Sequence, residues 1–265
     1  MRSRLRAALV AVAFGMAMLP AFAAAQTSAP RGQIVYEDNF DDATASSFED
    51  NLRASDFGRG FHPPGVYHLK VDNPNSVGVV LLPTHSYGQF SVQVEVSDNS
   101  DTLQGSSSQG LVFRAQDQTH YYAVLLNSRE GQYAIRKLNG RQWTDIVPMT
   151  DSPLVNPDTE VNVLRVDGSG SNFTVYLNDE ELDSFSDSSY AKGTVGMILV
   201  NEDAVEPHMH YDNMVVYSTE PAPEGAAVPA ALPATGAAES VPALALLILA
   251  AMLLGLGAVV RRAGS

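Results

Sequence analysis

Short segments in which apolar and polar residues alternate fill the middle of the chain. The clearest such segment is residues 89–96. One of its faces consists of Phe90, Val92, Val94 and Val96, and the residues between them are polar. A period of two predicts a strand with one buried face. No segment of this region keeps the 3.6-residue apolar stripe of a helix for long. Similar strand segments are predicted at 67–71, 77–82, 111–115, 121–127, 132–138, 143–147, 161–166, 173–177, 181–185, 195–200 and 211–217.

The connections between these segments favour antiparallel pairing. Asn139-Gly140 separates two predicted strands, and a glycine there tolerates the positive φ of a type I′ hairpin turn. Residues 167–170 and Asn178-Asp179 have the same turn chemistry. With about a dozen short strands at close spacing, the sequence predicts an all-β fold, a two-sheet antiparallel jelly-roll sandwich.

The N-terminus has the layout of a secretory signal peptide. Arg2, Arg4 and Arg6 precede an apolar stretch over residues 7–19, which is too short to span a bilayer. Small residues follow, and cleavage is expected after Ala23 or Ala25. We therefore assign residues 1–25 to a signal peptide and predict an exported, extracellular protein.

The C-terminus carries a second, longer apolar segment. Residues 241–260 contain no charge and would form about 30 Å of helix, enough to cross a bilayer. Arg261 and Arg262 follow directly, which predicts a transmembrane helix with a cytoplasmic C-terminus. Residues 220–231, rich in proline and alanine, read as an extended linker. The predicted sandwich domain, residues 26–219, therefore faces outwards.

Charge and cysteine content exclude several functions. The whole chain has 16 basic and 30 acidic residues. Without the signal peptide and the part after Thr235, five arginines and Glu239 are removed, which leaves 11 basic and 29 acidic residues and a net charge of −18. Nucleic acid and anionic lipid need basic patches, so neither is an expected partner. The chain has no cysteine, which excludes thiol chemistry.

The segment before the apolar run resembles the LPxTG cell-wall sorting signal. Its residues are Leu232, Pro233, Ala234, Thr235 and Gly236, followed in order by the apolar span and the arginine pair. The resemblance implies that a sortase-type transpeptidase cuts after Thr235 and joins the domain to the cell wall. The membrane would then hold the chain through residues 241–260 only until cleavage. A retained single-pass anchor, or another sorting tag of similar layout, is the alternative.

The middle of the chain resembles bacterial extracellular domains of the concanavalin A-like lectin/glucanase fold, related to laminin G-like and DUF1080 domains. The resemblance covers most of residues 34–218 and implies a jelly roll that hosts lectins, hydrolases and inert spacers alike. The residues that carry it are at 37–41, 110–114, 121–122, 131–133, Trp143, 175–178, 193–196 and 211–213.

Related domains often hold a structural calcium ion near their terminal strands, which implies a candidate cofactor here. Asp212 is the first candidate ligand, and Glu37 or Asp38 the second, because oxygen ligands suit calcium. The alternative is that Asp212 and Asn213 only cap a strand and hydrogen-bond a turn.

A histidine pair lies just before Asp212 in the sequence. His208 and His210 are two residues apart, so on a strand both would point the same way as Asp212. Two imidazoles and a carboxylate could in principle hold zinc. Pro207 marks the start of a strand, and we interpret the pair as ordinary strand residues.

A carbohydrate-binding face needs aromatic surface with polar side chains around it. The middle strands offer Arg114, Tyr122, Tyr133, Arg136 and Trp143 as candidate ligand-binding residues. Arg114 interrupts an apolar strand, so it lies either on the concave face or buried beside a carboxylate. The alternative for the tyrosines is sandwich core with the hydroxyl at the rim.

Catalysis finds little support in the sequence. Retaining glycosidases of this fold class carry a Glu-x-Asp-x-x-Glu run on one strand, and the chain has none. On the best-patterned strand Glu95 stands alone, with Gln93 where a second carboxylate would be needed. We therefore expect a surface-anchored, non-catalytic binding or adhesion module with carbohydrate as its ligand. The alternatives are a glycoside hydrolase or lyase of the same fold, or an inert structural domain.

Overall fold

The computed structural model of the chain describes residues 31–50, 57–62, 65–83, 86–100, 105–220 and 239–240. These residues form strands and turns and no helix, which confirms the all-β prediction. None of them forms a helix long and apolar enough to cross a membrane. The signal peptide, the sorting motif Leu232–Gly236 and the apolar span 241–260 lie outside the described residues, as does nearly all of the linker.

Two antiparallel sheets make up the domain, and eight strands form the first, sheet A. These strands are β1 (Gln33–Asp38), β2 (Phe57–His62), β3 (Val66–Val71), β5 (Gln89–Asp98), β10 (Asn162–Ser169), β11 (Asn172–Leu177), β12 (Glu180–Ser186) and β14 (His208–Ser218). Their order is β12-β11-β10-β5-β14-β3-β2, and β1 pairs with the second half of β14.

Seven strands form the second sheet, sheet B. They are β4 (Ser76–Leu81), β6 (Ser107–Asp117), β7 (His120–Asn127), β8 (Gln132–Asn139), β9 (Gln142–Asp151), β13 (Thr194–Asn201) and β15 (Glu239–Ser240). Their order is β15-β4-β13-β6-β7-β8-β9. The predicted two-sheet sandwich is therefore confirmed.

Positive φ angles support the predicted hairpins. Gly140 has φ 65° between β8 and β9, and Asn178 and Asp179 have φ 52° and 67° between β11 and β12. Two successive positive φ values are the requirement of a type I′ turn, and Asn178-Asp179 meets it. Asn139 pairs with Gln142, so the loop between β8 and β9 is Gly140-Arg141, and only Gly140 has a positive φ. That hairpin has the type II′ pattern, and the type I′ prediction for it is wrong. The turn predicted at residues 167–170 lies at the end of that range. Strand β10 continues to Ser169, and the chain reverses at Gly170, with φ 59°.

Sheet A follows the alternating pattern seen in the sequence. On β5, Phe90, Val92, Val94 and Val96 are buried in the core between the sheets. On β14, Met209 and Tyr211 point into the same core, so His208 and His210 lie on the outer face. One face of sheet A is therefore apolar and buried, as a period of two requires.

Sheet B differs, because its central strands are apolar on both faces. On β7, Tyr122, Val124 and Leu126 join the core between the sheets, whereas Ala123 and Leu125 belong to a separate cluster on the other face. All five side chains are buried. Continuous apolar runs of this kind are typical of strands covered on both sides.

A tyrosine on sheet A ties the two sheets together. The hydroxyl of Tyr211 donates to the carbonyl of Ile198 at 2.5 Å and accepts from the backbone N–H of Gly110 at 3.3 Å. Both partners lie in sheet B. Burial raises the pKa of the Tyr211 hydroxyl well above its usual range, so it remains a neutral donor and acceptor.

Candidate functional site

The outer face of sheet B collects the residues that could form a binding surface; we call it the sheet B face. The strand registers place its outward residues in rows that run across β4, β13, β6, β7, β8 and β9. The rows are Val79, Ile198, Gly110, Leu125 and Ala134, then Leu81, Gly196, Val112, Ala123, Arg136 and Asp145, and then Tyr121, Leu138 and Trp143.

Two glycines at the centre of this face lie directly against the backbone of the neighbouring strand. A Cβ on Gly110 would lie 1.9 Å from the carbonyl oxygen of Val124, and one on Gly196 would lie 2.1 Å from that of Val80. No side chain fits either position, because the obstructing atoms belong to the backbone of the next strand. The backbones of neighbouring strands therefore approach each other closely at both glycines.

The rim of the face on β7, β8 and β9 is aromatic and charged. Trp143 packs against Tyr121 in a T-shaped contact, with ring centroids 5.7 Å apart. One row further along, Arg136 Nε lies 2.8 Å from Asp145 Oδ1. Trp143 is half-buried, so part of its ring is accessible. An aromatic surface beside charged hydrogen-bonding groups is what a sugar ring requires.

A buried carboxyl group lies at the opposite side of the face. Glu202 follows β13, and its Oε1 accepts a hydrogen bond from Ser108 Oγ at 3.3 Å. Burial raises the pKa of the Glu202 carboxyl to about 7, against an ordinary value of 4.5, and the positive charge of Arg136 opposes the rise. Near neutral pH this group can therefore hold or release a proton.

The raised pKa of Glu202 predicts a pH dependence of stability. The folded state holds the proton more tightly than the unfolded state, so the stabilisation is complete below about pH 4.5 and is lost as pH rises through about 7. We expect Glu202→Gln to remove about 2.5 kcal/mol of this dependence between pH 5 and pH 8, the larger part of the roughly 3.5 kcal/mol to which the whole pKa rise corresponds at about 1.4 kcal/mol per unit. Urea unfolding at pH 5 and pH 8 measures it.

The exposed carboxyl group of Glu206 provides a matched control. Glu206→Gln should keep the pH dependence of the unmodified chain. If Glu202→Gln and Glu206→Gln follow the same curve as the unmodified chain, Glu202 does not titrate as described.

The structure places Arg114 in the interior rather than on a binding surface. Its side chain is fully buried and donates to the backbone carbonyls of Gly88, Gly170 and Tyr190. The guanidinium also lies over the Phe173 ring, 5.3 Å from the centroid. Arg114 is therefore a structural residue, and it pairs with carbonyl groups instead of the carboxylate considered from the sequence.

The two candidate tyrosines also point into the sandwich. The Tyr122 hydroxyl donates to Asp187 at 2.6 Å, and the Tyr133 hydroxyl donates to Asp183 at 2.9 Å. Burial and the adjacent carboxylates raise the pKa of both phenols to about 12. Of the five candidate ligand-binding residues, Arg136 and Trp143 share the outer face of sheet B, and Arg114, Tyr122 and Tyr133 point into the sandwich.

The proposed calcium ligands Asp38 and Asp212 lie on paired strands, close enough for their charges to interact. Asp38 Oδ1 accepts from the Phe40 backbone N–H and its Oδ2 accepts from the Tyr36 hydroxyl, while Glu37 is exposed. Burial and the negative charges of Glu95, Asp41 and Asp38 raise the pKa of Asp212. No group of three or more His, Cys, Asp or Glu side chains in the described parts of the chain is arranged to hold a metal ion. The calcium site stays a prediction.

Strand pairing places next to each other several residues that are far apart in the sequence. Glu95, which stood alone in the sequence pattern, lies opposite Asp212 on the neighbouring strand. His210 lies opposite His68, and these two rings stack with centroids 4.0 Å apart. His208 packs edge-on against His68 at 4.4 Å. His68 had no sequence signal, because its link to the pair depends on which strand lies beside β14.

Comparison with known proteins supports the architecture. No protein-family profile and no curated protein sequence matches the chain. Among solved structures, carbohydrate-binding module CBM66 from Bacillus subtilis is 15% identical, with a TM-score of 0.50 over 62% of this chain and 92% of that one. A Bacillus subtilis protein of unknown function with a galectin-like fold is also 15% identical, with a TM-score of 0.50 over 71% of this chain and 97% of that one.

A third similar structure is that of a longer chain. The GH43 protein BlXynB from Bacillus licheniformis is 15% identical, with a TM-score of 0.52 over 69% of this chain and 39% of that one. At these identities the comparisons show the fold. They are consistent with the resemblance to the concanavalin A-like class, and a shared fold does not identify a ligand.

Proposed function

We propose that this domain is a non-catalytic carbohydrate-binding module and that it binds its glycan at the rim of the sheet B face. The observation that carries the proposal is the grouping of Trp143, Tyr121, Arg136 and Asp145 on adjacent strands. The similar fold of a carbohydrate-binding module supports it at the level of architecture.

The chemistry of the rim suits a sugar. The exposed part of the Trp143 ring offers a flat apolar surface for the C–H groups of a pyranose or furanose ring. Arg136 supplies donors and Asp145 supplies acceptors for the hydroxyl groups at the ring edge. The Arg136–Asp145 ion pair holds both side chains in place before binding, which lowers the entropy lost when a ligand arrives.

We also propose display at the cell surface. The support is the signal-peptide layout of residues 1–25 and the C-terminal order of sorting motif, apolar span and arginine pair. A binding module held by its C-terminus would present β7, β8 and β9 to glycans outside the cell. A sortase-type transpeptidase and the cell wall are the expected partners of the tail.

Replacing Trp143 tests the glycan site. On a glycan array with the exported chain, Trp143→Ala should weaken binding at least 10-fold for ligands that the unmodified chain binds, because stacking surface is lost. Tyr176→Ala is the matched control: Tyr176 is also a half-buried aromatic residue next to an arginine, but it lies on the outer face of sheet A. It should bind as the unmodified chain does.

Other outcomes of the same screen contradict the proposal. Absence of binding, with calcium and with a chelator, would favour an inert structural domain. Turnover of a polysaccharide that stops on Glu95→Gln or Asp212→Asn would favour the hydrolase alternative, since these carboxylates face each other across β5 and β14.

A further inference from the structure

The rim of the sheet B face ends at the hairpin turn between β8 and β9. Asn139 pairs with Gln142, so Gly140 and Arg141 are the two residues of the loop. Trp143 follows Arg141 by two residues, a separation of about 7 Å in extended chain. Because a two-residue loop fixes the path of the chain, the backbone of Arg141 has a defined position beside Trp143.

Arg141 differs from most basic residues of the domain, because its guanidinium group has no acidic partner. The side chain is exposed, and it forms neither an ion pair nor a hydrogen bond with any of the residues that the structure describes. The basic side chains that do form ion pairs with carboxylates in this part of the chain are Arg59, Lys70, Arg129, Arg136, Lys137 and Arg165. Acidic residues outnumber basic ones by 30 to 16 in the whole chain, so an arginine without a carboxylate beside it is an exception.

Arg136 provides a second set of donors close to the same ring. Its Nε atom lies 2.8 Å from Asp145 Oδ1, whereas its Nη1 and Nη2 atoms donate to no protein group among the described residues. The Arg136 side chain is 23% exposed, so a ligand can reach these atoms. The pairs Arg136–Asp145 and Leu138–Trp143 are neighbours along β8 and β9. Trp143 therefore lies near two guanidinium groups and one carboxylate, which is a local excess of positive charge.

We propose that the glycan at this rim carries a carboxylate or sulfate group, and that Arg141 and Arg136 bind this group while Trp143 stacks on the sugar ring. The proposal rests on the glycan-binding function proposed above, and it adds Arg141 to the site and an acidic sugar as the ligand class. The parallel N–H donors of a guanidinium match the paired oxygens of a carboxylate or a sulfate. Such charge-assisted hydrogen bonds are stronger than those to neutral hydroxyl groups.

The charge of the whole domain limits how many acidic groups the ligand can carry. The exported part has 11 basic and 29 acidic residues and a net charge of −18, so carboxylates beyond the rim would repel a long polyanion. At physiological salt this repulsion is screened beyond about 8 Å, so the two nearby guanidinium groups dominate for a single acidic group beside Trp143. We therefore expect an oligosaccharide with one acidic sugar rather than a polyanion.

Matched pairs of trisaccharides that differ only in one acidic group test the proposal, built on sugars whose binding depends on Trp143. One arm compares a uronic acid with its methyl ester, and the other compares a sulfate ester with the unsulfated sugar. The exported chain should bind the acidic member about 10-fold more tightly, or better, in one of the two arms, and that arm identifies the acidic group. Arg141→Gln should bring the ratio of the two Kd values close to unity. Isothermal titration calorimetry measures each Kd, and thermal melting confirms that each variant is folded.

Lys192→Gln is the matched control, because it changes the net charge equally. Lys192 is also exposed and without an ion pair among the described residues, but it precedes β13, which β6 and β7 separate from β8. This variant should keep the acidic preference within about 2-fold.

Three outcomes would overturn the proposal, and they are distinguishable. Equal binding of the acidic and neutral members in both arms, with binding still dependent on Trp143, would overturn this proposal alone. An acidic preference that Arg141→Gln and Lys192→Gln leave alike would do the same. Absence of any Trp143-dependent binding would overturn the glycan-binding function and this proposal together.

Discussion

Replacing Arg114 with alanine is expected to lower the free energy of unfolding by about 3–5 kcal/mol. The change leaves the carbonyls of Gly88, Gly170 and Tyr190 without their buried donor. It also empties the space between the Phe90 and Phe173 rings, over which the guanidinium lies at 5.5 and 5.3 Å from the centroids. Urea unfolding of purified variants measures the loss.

Two further variants separate this role from a general effect of losing an arginine. Arg136→Ala removes an arginine from a partly exposed ion pair and should cost no more than about 1 kcal/mol. Arg114→Lys should recover little of the loss, because one ammonium group cannot reach three carbonyls in the geometry of a guanidinium. A cost below about 1 kcal/mol for Arg114→Ala would contradict the structural role.

Replacing Gly110 with alanine is expected to cost about 3 kcal/mol. The new Cβ would lie 1.9 Å from the carbonyl oxygen of Val124, so β6 and β7 would have to move apart. That movement would also disturb the hydrogen bond from the Gly110 N–H to Tyr211, which joins the two sheets. The midpoint of urea unfolding and the yield of soluble protein measure the effect.

Ser108→Ala is the control for Gly110, since Ser108 lies two residues earlier on the same face of β6. It removes only the hydroxyl that donates to Glu202 and should cost about 1 kcal/mol. If Gly110→Ala is as stable as Ser108→Ala, the sheet can relax around the added methyl group, and the close approach of β7 to Gly110 is not a constraint on the sequence.

The sequence predicted the buried side chains well in strands with one polar face. It predicted them less completely in strands with two apolar faces. The alternation on β5 identified the buried residues one by one, and these assignments are confirmed. On β7, where Ala123 and Leu125 face away from the core between the sheets, the pattern located a strand but did not show that the side chains of its outer face are also buried. The alternation of apolar and polar residues shows which side chains are buried only when one face of the strand contacts water.

The candidate site was predicted in part. Trp143 and Arg136 were chosen for their chemistry, and both lie on the sheet B face. Arg114 and Tyr122 were chosen in the same way, but they are buried in the sandwich. The side to which a residue points on β6 depends on the bulge between Phe113 and Asp117, where Arg114 has φ 53°. A bulge shifts the alternation by one residue, and no sequence signal announced it.

By itself, the sequence determined the all-β class, the hairpin turns and the antiparallel sandwich, because these depend on residues close together along the chain. Its terminal segments also predict export and anchoring. Only the tertiary structure decided which strands are neighbours. Strand order brought Glu95 opposite Asp212 and His68 against His210, and it placed β15 beside the sheet B face. Such contacts join residues that are far apart in the chain, so the local pattern of apolar and polar residues cannot predict them.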